Sequence, residues 1–213
     1  MIDTSEMFAI HETLRREFAS LPLMVKATRV GDVTRAAIVG EHVDLILDIL
    51  DRHHMGEDEL VWPLLEQRSP ECQALISTLR SQHDTIHAEV PIARGQLAEW
   101  TTDASEFSRS ALHTTLISLE RGLLTHLALE ESDVLPVIAR TFSEEEFAAV
   151  GEHARAAMSQ EKLPLALGMI LQSVSPEQGE RMLTAMPAQA RANFEQFGLP
   201  AYAAYRDRLF ATS

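Results

Sequence analysis

Four long stretches of the chain carry apolar residues at intervals of three and four, the spacing of one face of an α-helix. Met7, Leu14 and Phe18 share such a face in the first stretch, and Ile46 and Leu60 in the second. Ile76, Leu79, Ile86 and Val90 form the face of the third, and Leu116, Leu119 and Leu123 that of the fourth. Start and stop signals then set the bounds. The first helix is predicted from about Ser5 to Val30, stopping at Gly31, with Pro22 a kink. Asp32 is placed to cap the second, which runs to about Leu65. Ser69-Pro70 reads as an N-cap with a first-turn proline for the third, which ends near Trp100 and has Pro91 as a second kink. Asp103 and Glu106 have the form of a capping box opening the fourth, which reaches about Arg140. Short turns between long helices favour antiparallel neighbours. The expected fold is therefore all-α, an up-down-up-down four-helix bundle over residues 1–140.

The texture changes after Ser143. Ser143 with Glu146 starts a further helix, and Pro164, Ser175-Pro176, Pro187 and Pro200 each mark the start of a short one. Residues 143–213 are read as a C-terminal helical extension of unassigned role. It holds both tyrosines, Tyr202 and Tyr205, and is the part of the chain that offers itself for docking a protein partner.

Each apolar face of the bundle is interrupted by histidine. His11 lies with Met7, Leu14 and Phe18, His53 with Ile46 and Leu60, His83 with Leu79 and Ile86, and His126 with Leu119 and Leu123. The interruptions repeat. Residues 11–17 align with 83–89, and residues 43–65 with 116–138, at an offset of 72 to 73. His53, Glu57 and Pro63 thereby fall on His126, Glu130 and Pro136. A helix pair has been doubled, and its best-kept residues are polar ones on a core face, where selection for packing alone would keep leucines.

The turns act as mirrors, because residues equidistant from an antiparallel turn lie at one height. His11 and His53 average to position 32, the Gly31-Asp32 turn. His53/Glu57 and His83/His87 average to 70, the Ser69-Pro70 turn, and His83/His87 with His126/Glu130 average to about 106. Five imidazoles and two carboxylates therefore share one level of the core. Each such polar group left unpaired in an apolar interior costs roughly 2–7 kcal/mol. Metal ions satisfy them together. Imidazole and carboxylate without thiolate suit iron, manganese or zinc, and the single cysteine, Cys72, provides neither an internal disulfide nor a thiolate cluster.

These residues resemble the hemerythrin-like (HHE cation-binding) family. Its pattern is a histidine on helix 1, His-x-x-x-Glu on helix 2, His-x-x-x-His on helix 3, and a histidine followed by an acidic residue on helix 4. The matching residues are His11, His53 with Glu57, His83 with His87, and His126 with Glu130, over about residues 5–140. The resemblance implies two iron ions in an oxo- or hydroxo-bridged di-iron centre, with zinc or manganese as alternatives. The centre would bind or consume oxygen, nitric oxide or peroxide. By family assignment His83, His87 and His126 hold one metal, His11 and His53 the other, and Glu57 and Glu130 bridge. The open position then lies beside His11 and His53, near Met7, Leu14, Ile46 and Leu60. Oxygen carriers of the family place the helix-4 carboxylate five residues after its histidine, which here is Glu131. The internal repeat selects Glu130, with Glu131 the fallback.

Other histidines receive plainer readings. His54, beside His53, offers a rival pair with Asp58, but the repeat favours His53 and leaves His54 a spectator or an outer partner. His42 lies on the face of His53 but roughly 16 Å along the axis, too far to ligate. His113 and His153 are read as surface or packing residues. Bis-histidine haem would leave most of the cluster unexplained, and there is no Cys-x-x-Cys-His site. A phosphotransfer histidine would need a solvated face.

Composition narrows the classes further. Apolar residues make up 46% of the 213, enough for a sizeable core, while aromatics are only 6%. The net charge of −14, with no basic cluster, excludes the electrostatic footprint of a nucleic-acid binder. Residues 1–6 have no basic start and no apolar run, so no signal peptide is visible. The longest apolar stretch, Leu163 to Val174, is too short for a bilayer. A cytoplasmic protein with no membrane segment is expected.

Overall fold

The computed structural model describes residues 1–211, and among these no strand is found. Helix α1 spans Ser5–Ala27 and passes through Pro22 without ending. Gly31, at φ 80°, takes the left-handed conformation that a glycine adopts at no steric cost. The Asp32 side chain then accepts from the Arg35 N–H at 2.9 Å and opens α2, Val33–Gly56. A π-helical turn over Glu57–Val61 carries the chain into α3, Trp62–Arg68. Pro70 begins a 3-10 turn, Pro70–Cys72, ahead of α4, Gln73–Asp103, the longest helix, which runs through Pro91.

The cap of the next helix differs from the sequence expectation. Asp103 is the last residue of α4, and Ala104 follows in the left-handed region at φ 45°. Ser105, not Asp103, caps α5, Glu106–Leu129, by accepting from the Ser108 N–H. The Asp103 carboxylate instead braces the turn, accepting from the Ser105 N–H at 2.9 Å and the Ser108 hydroxyl at 2.7 Å. A second π-helical turn, Glu130–Val134, leads to α6, Leu135–Thr141. The capping box of Ser143 and Glu146 forms as expected and opens α7, Glu144–Ala156.

Helices α1, α2, α4 and α5 form the bundle, with α1 against α2 and α5, and α4 against α2 and α5. The two turns at one end are tied together, since the Gly31 N–H donates to the Ala104 carbonyl at 2.9 Å and Arg109 donates to the Thr28 carbonyl at 2.7 Å. Close approach of α2 and α4 needs Gly40, where an added Cβ would lie 2.5 Å from the Thr101 methyl. At the other end Trp62, Leu65, Ile76, Leu79, Ile138 and Phe142 form one buried cluster with Val150 of α7. Arg68 closes this end by bonding the Thr141 carbonyl and the Glu146 carboxylate. The expected break at 140–143 is thus where α6 ends, while the compact unit itself extends over Met1–Ala157.

The second unit, Met158–Ser213, contains α8 Leu163–Ser173, α9 Pro176–Ala185, α10 Ala188–Asn193 and α11 Leu199–Phe210. Each begins at or next to a proline that the sequence marked. Gly168 of α8 admits the Tyr202 ring, whose hydroxyl donates to Gln172 at 2.7 Å. No helix of the described residues is long and apolar enough to cross a membrane.

Candidate metal centre

Both core glutamates open a π-helical turn. The Trp62 N–H bonds back to the Glu57 carbonyl and the Leu135 N–H to the Glu130 carbonyl, each across five residues. A proline two residues beyond the turn is common to both sites, whereas Pro22 and Pro91 sit within α-helices that continue without such a turn. Pro63 and Pro136 lack the N–H of an α-helical bond and would press on the carbonyl four residues back. The wider turn absorbs the mismatch, and the helix restarts with proline in its first turn, where no N–H is needed. Phe194–Gly198 ahead of Pro200 repeats the device in the second unit. The doubled Glu-x5-Pro of the sequence is therefore a doubled π turn with a carboxylate at its head.

Two groups of potential ligands result. His11, His53, Glu57 and Glu130 form one, and His54, Glu57, His83 and His126 the other, with the ligand atoms of each within 4.8 Å of one another. Glu57 spans the two, its Oε1 lying 3.3 Å from His53 Nε2 and its Oε2 3.3 Å from His83 Nε2. Glu130 spans them as well, since Oε2 lies 3.3 Å from His11 Nε2 and 3.6 Å from His126 Nε2. The Nε2 atoms of His83 and His126 approach to 3.2 Å. His11, His54, Glu57, His126 and Glu130 are completely buried, and His53 and His83 nearly so.

The outer faces of three imidazoles are already engaged. His11 donates from Nδ1 to Glu131 at 2.9 Å, and Arg15 anchors that carboxylate at 2.7 Å. His83 donates from Nδ1 to Asp58 at 2.9 Å, and His126 from Nδ1 to Gln82 at 3.2 Å. Partners of this kind fix the ring and leave Nε2 as the inward lone pair, the arrangement found around metal-bound histidine. Glu131, the fallback bridge, thus lies outside the cluster, and Glu130 lies within it.

Apart from the Nε2 atoms of His83 and His126, which bond each other, most of the inner atoms, by contrast, lack hydrogen bonds. Nε2 of His11, of His53 and of His87, both ring nitrogens of His54, and both carboxylate oxygens of Glu57 and of Glu130 are buried without a hydrogen-bond partner. The separations near 3.3 Å have the length of a hydrogen bond but not its direction. Native interiors leave very few such groups unsatisfied. Convergent lone pairs around a shared space are what bound cations require, so the donors present fit a pair of metal ions.

With no ion bound, protons on His11 and His83 balance the buried carboxylates. Burial opposes charge on His11, but the Glu130 carboxylate, aided by Glu131 and Glu57, lifts its imidazole to about 9. At His83 burial is likewise overcome, by Asp58 and Glu57, and the value again reaches about 9. Burial pushes His126 down to about 4, and His53 and His54 well below their ordinary value. Burial and the neighbouring Glu130 carboxylate push Glu57 up, whereas Glu130, equally buried, is held down by His11. The carboxylates thus draw positive charge into a site where burial resists protonating most of the imidazoles.

Six of the seven residues singled out in the sequence meet here: His11, His53, Glu57, His83, His126 and Glu130. His87 is in neither group but borders them: the residue is half-buried, its ring lies 5.8 Å from that of His83 and 5.4 Å from that of His54, and its Nε2 is buried without a hydrogen-bond partner. His54, read from sequence as a bystander, lies inside, with its ring stacked on His83 at 4.0 Å. A signal for it was present. The repeat aligns His54 with Leu127, which is fully buried, so position 54 is a core position. Of the remaining histidines, His42 pairs with Glu17 at 3.2 Å, His153 with Glu59 at 3.4 Å, and His113 is half-buried.

The hemerythrin HHE cation-binding domain family matches residues 3–156 of the chain. A helical bundle with buried histidine and glutamate donors from all four of its long helices is the class of protein that fold and site define. The chain belongs to this family, and its first compact unit is a cation-binding domain. Among curated proteins and solved structures there is no significant match.

Proposed function

We propose that the bundle holds two iron ions, one in each donor group with Glu57 and Glu130 shared, and that this centre binds or reacts with oxygen, nitric oxide or peroxide in sensing, storage or detoxification. The observation that carries the reading is the set of buried imidazole nitrogens and carboxylate oxygens without hydrogen bonds, shared between two adjoining groups. Nitrogen and oxygen donors without thiolate suit iron, manganese or zinc, and Cys72 is in neither group. Two glutamates that each face both groups suit a pair of ions better than a single one.

Bound iron would supply a reversible change of oxidation state and a position for an exogenous ligand. The residues of the chain do the rest. Glu131 and Arg15 orient His11, Asp58 orients His83, and Gln82 orients His126. Buried Met7, Leu14 and Ile46 keep bulk water from the His11 and His53 side. That group offers only two imidazoles beside the shared carboxylates, too few donors to saturate a six-coordinate ion, so a small ligand has room there. Metal analysis and the absorption spectrum of aerobically purified protein test the reading. Two irons per chain with an intense near-ultraviolet band is the expected result. Zinc or manganese without such a band would favour a structural or interaction module, and a haem Soret band would refute the assignment.

A further inference from the structure

Charge is divided unevenly between the two compact units. Residues 158–213 carry five acidic and five basic side chains, so the whole net charge of −14 lies on the first unit. Two copies of the bundle therefore repel each other at close range. The second unit carries no such penalty, and one of its helices holds apolar side chains in line at the surface.

That helix is α11. Leu199, Ala203, Arg206 and Phe210 follow one another at intervals of four, three and four, so they share one face along its length. Leu199 is 41% exposed and Phe210 54%, and Ala203 between them is exposed as well. Together with Asp207 they line one shallow groove. The Arg206 guanidinium lies 5.4 Å from the centre of the Phe210 ring, a cation–π contact that holds the arginine along this face. Asp207 is exposed and has no ion-pair partner among the described residues.

We infer that this face is where two copies of the chain associate, α11 lying antiparallel on α11 of the second copy about a two-fold axis. Self-complementarity selects this occupant. An axis between Ala204 and Tyr205 sets Leu199 level with Phe210 of the second copy, since the two are equidistant from it. It also sets Arg206 level with Ala203 of the second copy, so the longest side chain of the line lies over the recess left by the shortest. Asp207 of the second copy then stands one helical turn from Arg206, about 6 Å along the axis, which a guanidinium side chain spans. Symmetry makes every one of these contacts twice. The aligned apolar ends and the adjacent opposite charges are thus matched by the same face of another copy. One face of a helix this short is smaller than the roughly 1,200 Å² at the low end of stable interfaces, so the association is weak and reversible.

The inference does not depend on what the bundle binds, and sedimentation equilibrium on the full chain tests it. Wild type should pass from monomer to dimer as its concentration rises from low micromolar to several hundred micromolar. Asp207→Arg and Arg206→Asp should each weaken the dimer about tenfold, because each sets like charges against each other across the axis. The double exchange, Arg206→Asp with Asp207→Arg, should bind several-fold more tightly than either single variant. Recovery within one chain is the signature of self-pairing, since a surface made for a different partner, or for the chain's own bundle, gains nothing from the exchange. Ala203→Tyr fills the recess and should abolish the dimer, with circular dichroism showing unchanged helix content. A chain that stays monomeric throughout would overturn the inference. So would a dimer indifferent to these substitutions, or one that the double exchange fails to recover.

Discussion

Glu57 and Glu130 occupy equivalent points in the two halves of the bundle, each the first residue of a π-helical turn that ends two residues before a proline. The turn precedes a proline within a helix, and it places a carboxylate where two donor groups adjoin. Replacing Pro136 by alanine restores the missing N–H and lets the segment relax toward α-helical bonding. We expect Pro136→Ala to fold with unchanged helix content and to lose metal roughly tenfold more readily, the scale seen when support of a ligand is disturbed. Circular dichroism and chelator competition check both halves of this expectation, and unaltered retention would mean that packing, not proline, sustains the turn.

Glu131 should matter without touching metal. It accepts from His11 Nδ1 and is itself held by Arg15. Glu131→Gln keeps an acceptor but removes the charge, and is expected to weaken the ion beside His11 by about 10- to 100-fold. Arg15→Ala should act in the same direction more weakly. Titration with ferrous iron would show the effect on one of the two ions, and an equal loss of both would contradict the placement of Glu131.

Stability should follow metal content. Stripping the ions leaves buried nitrogens and oxygens of at least five residues without partners, and binding that exists only in the folded state adds its free energy to folding. The stripped protein is expected to melt many degrees below the loaded one in scanning calorimetry. Equal melting temperatures would mean that the cluster holds no ion.

A second polar layer gives a pH signature distinct from the metal site. Glu17 is nearly buried, faces His42 at 3.2 Å and contacts Arg16. Burial raises its carboxyl, but bonds from His42 and Arg16 outweigh this and hold it below the ordinary carboxylate range. A carboxyl depressed in the folded state adds stability that is fully present above the unfolded value of about 4.3. That stability is lost as pH falls through the lower folded value. Glu17→Gln should therefore cost about 1–2 kcal/mol at neutral pH, with the difference from wild type shrinking below roughly pH 4. Urea unfolding of stripped wild type and variant across pH 3 to 7 (roughly the window set by these values) measures it. A difference independent of pH would place the effect in packing.

The sequence by itself determined the helices, the doubling and the level of the site. Periodic apolar residues fix which face of a helix turns inward, Gly31, Asp32 and Ser143 fix where helices stop and start, and short turns fix height, so His11, His53, His83 and His126 could be brought together on paper. All of these are local or one-dimensional constraints. Tertiary structure decided between neighbours. His53 and His54, like Glu130 and Glu131, differ by one position, about 100° of rotation, and a helix packed on two sides has room in the core for either. The rotation of α2 and α5 against their partners turned both His53 and His54 inward, put Glu130 in the cluster, and set Glu131 behind His11. His87, one helical turn beyond His83, lies beside the cluster, its ring 5.8 Å from that of His83 and its Nε2 buried without a hydrogen-bond partner. Rotation about a helix axis is set by the sum of packing contacts along its whole length, and no short motif carries that sum.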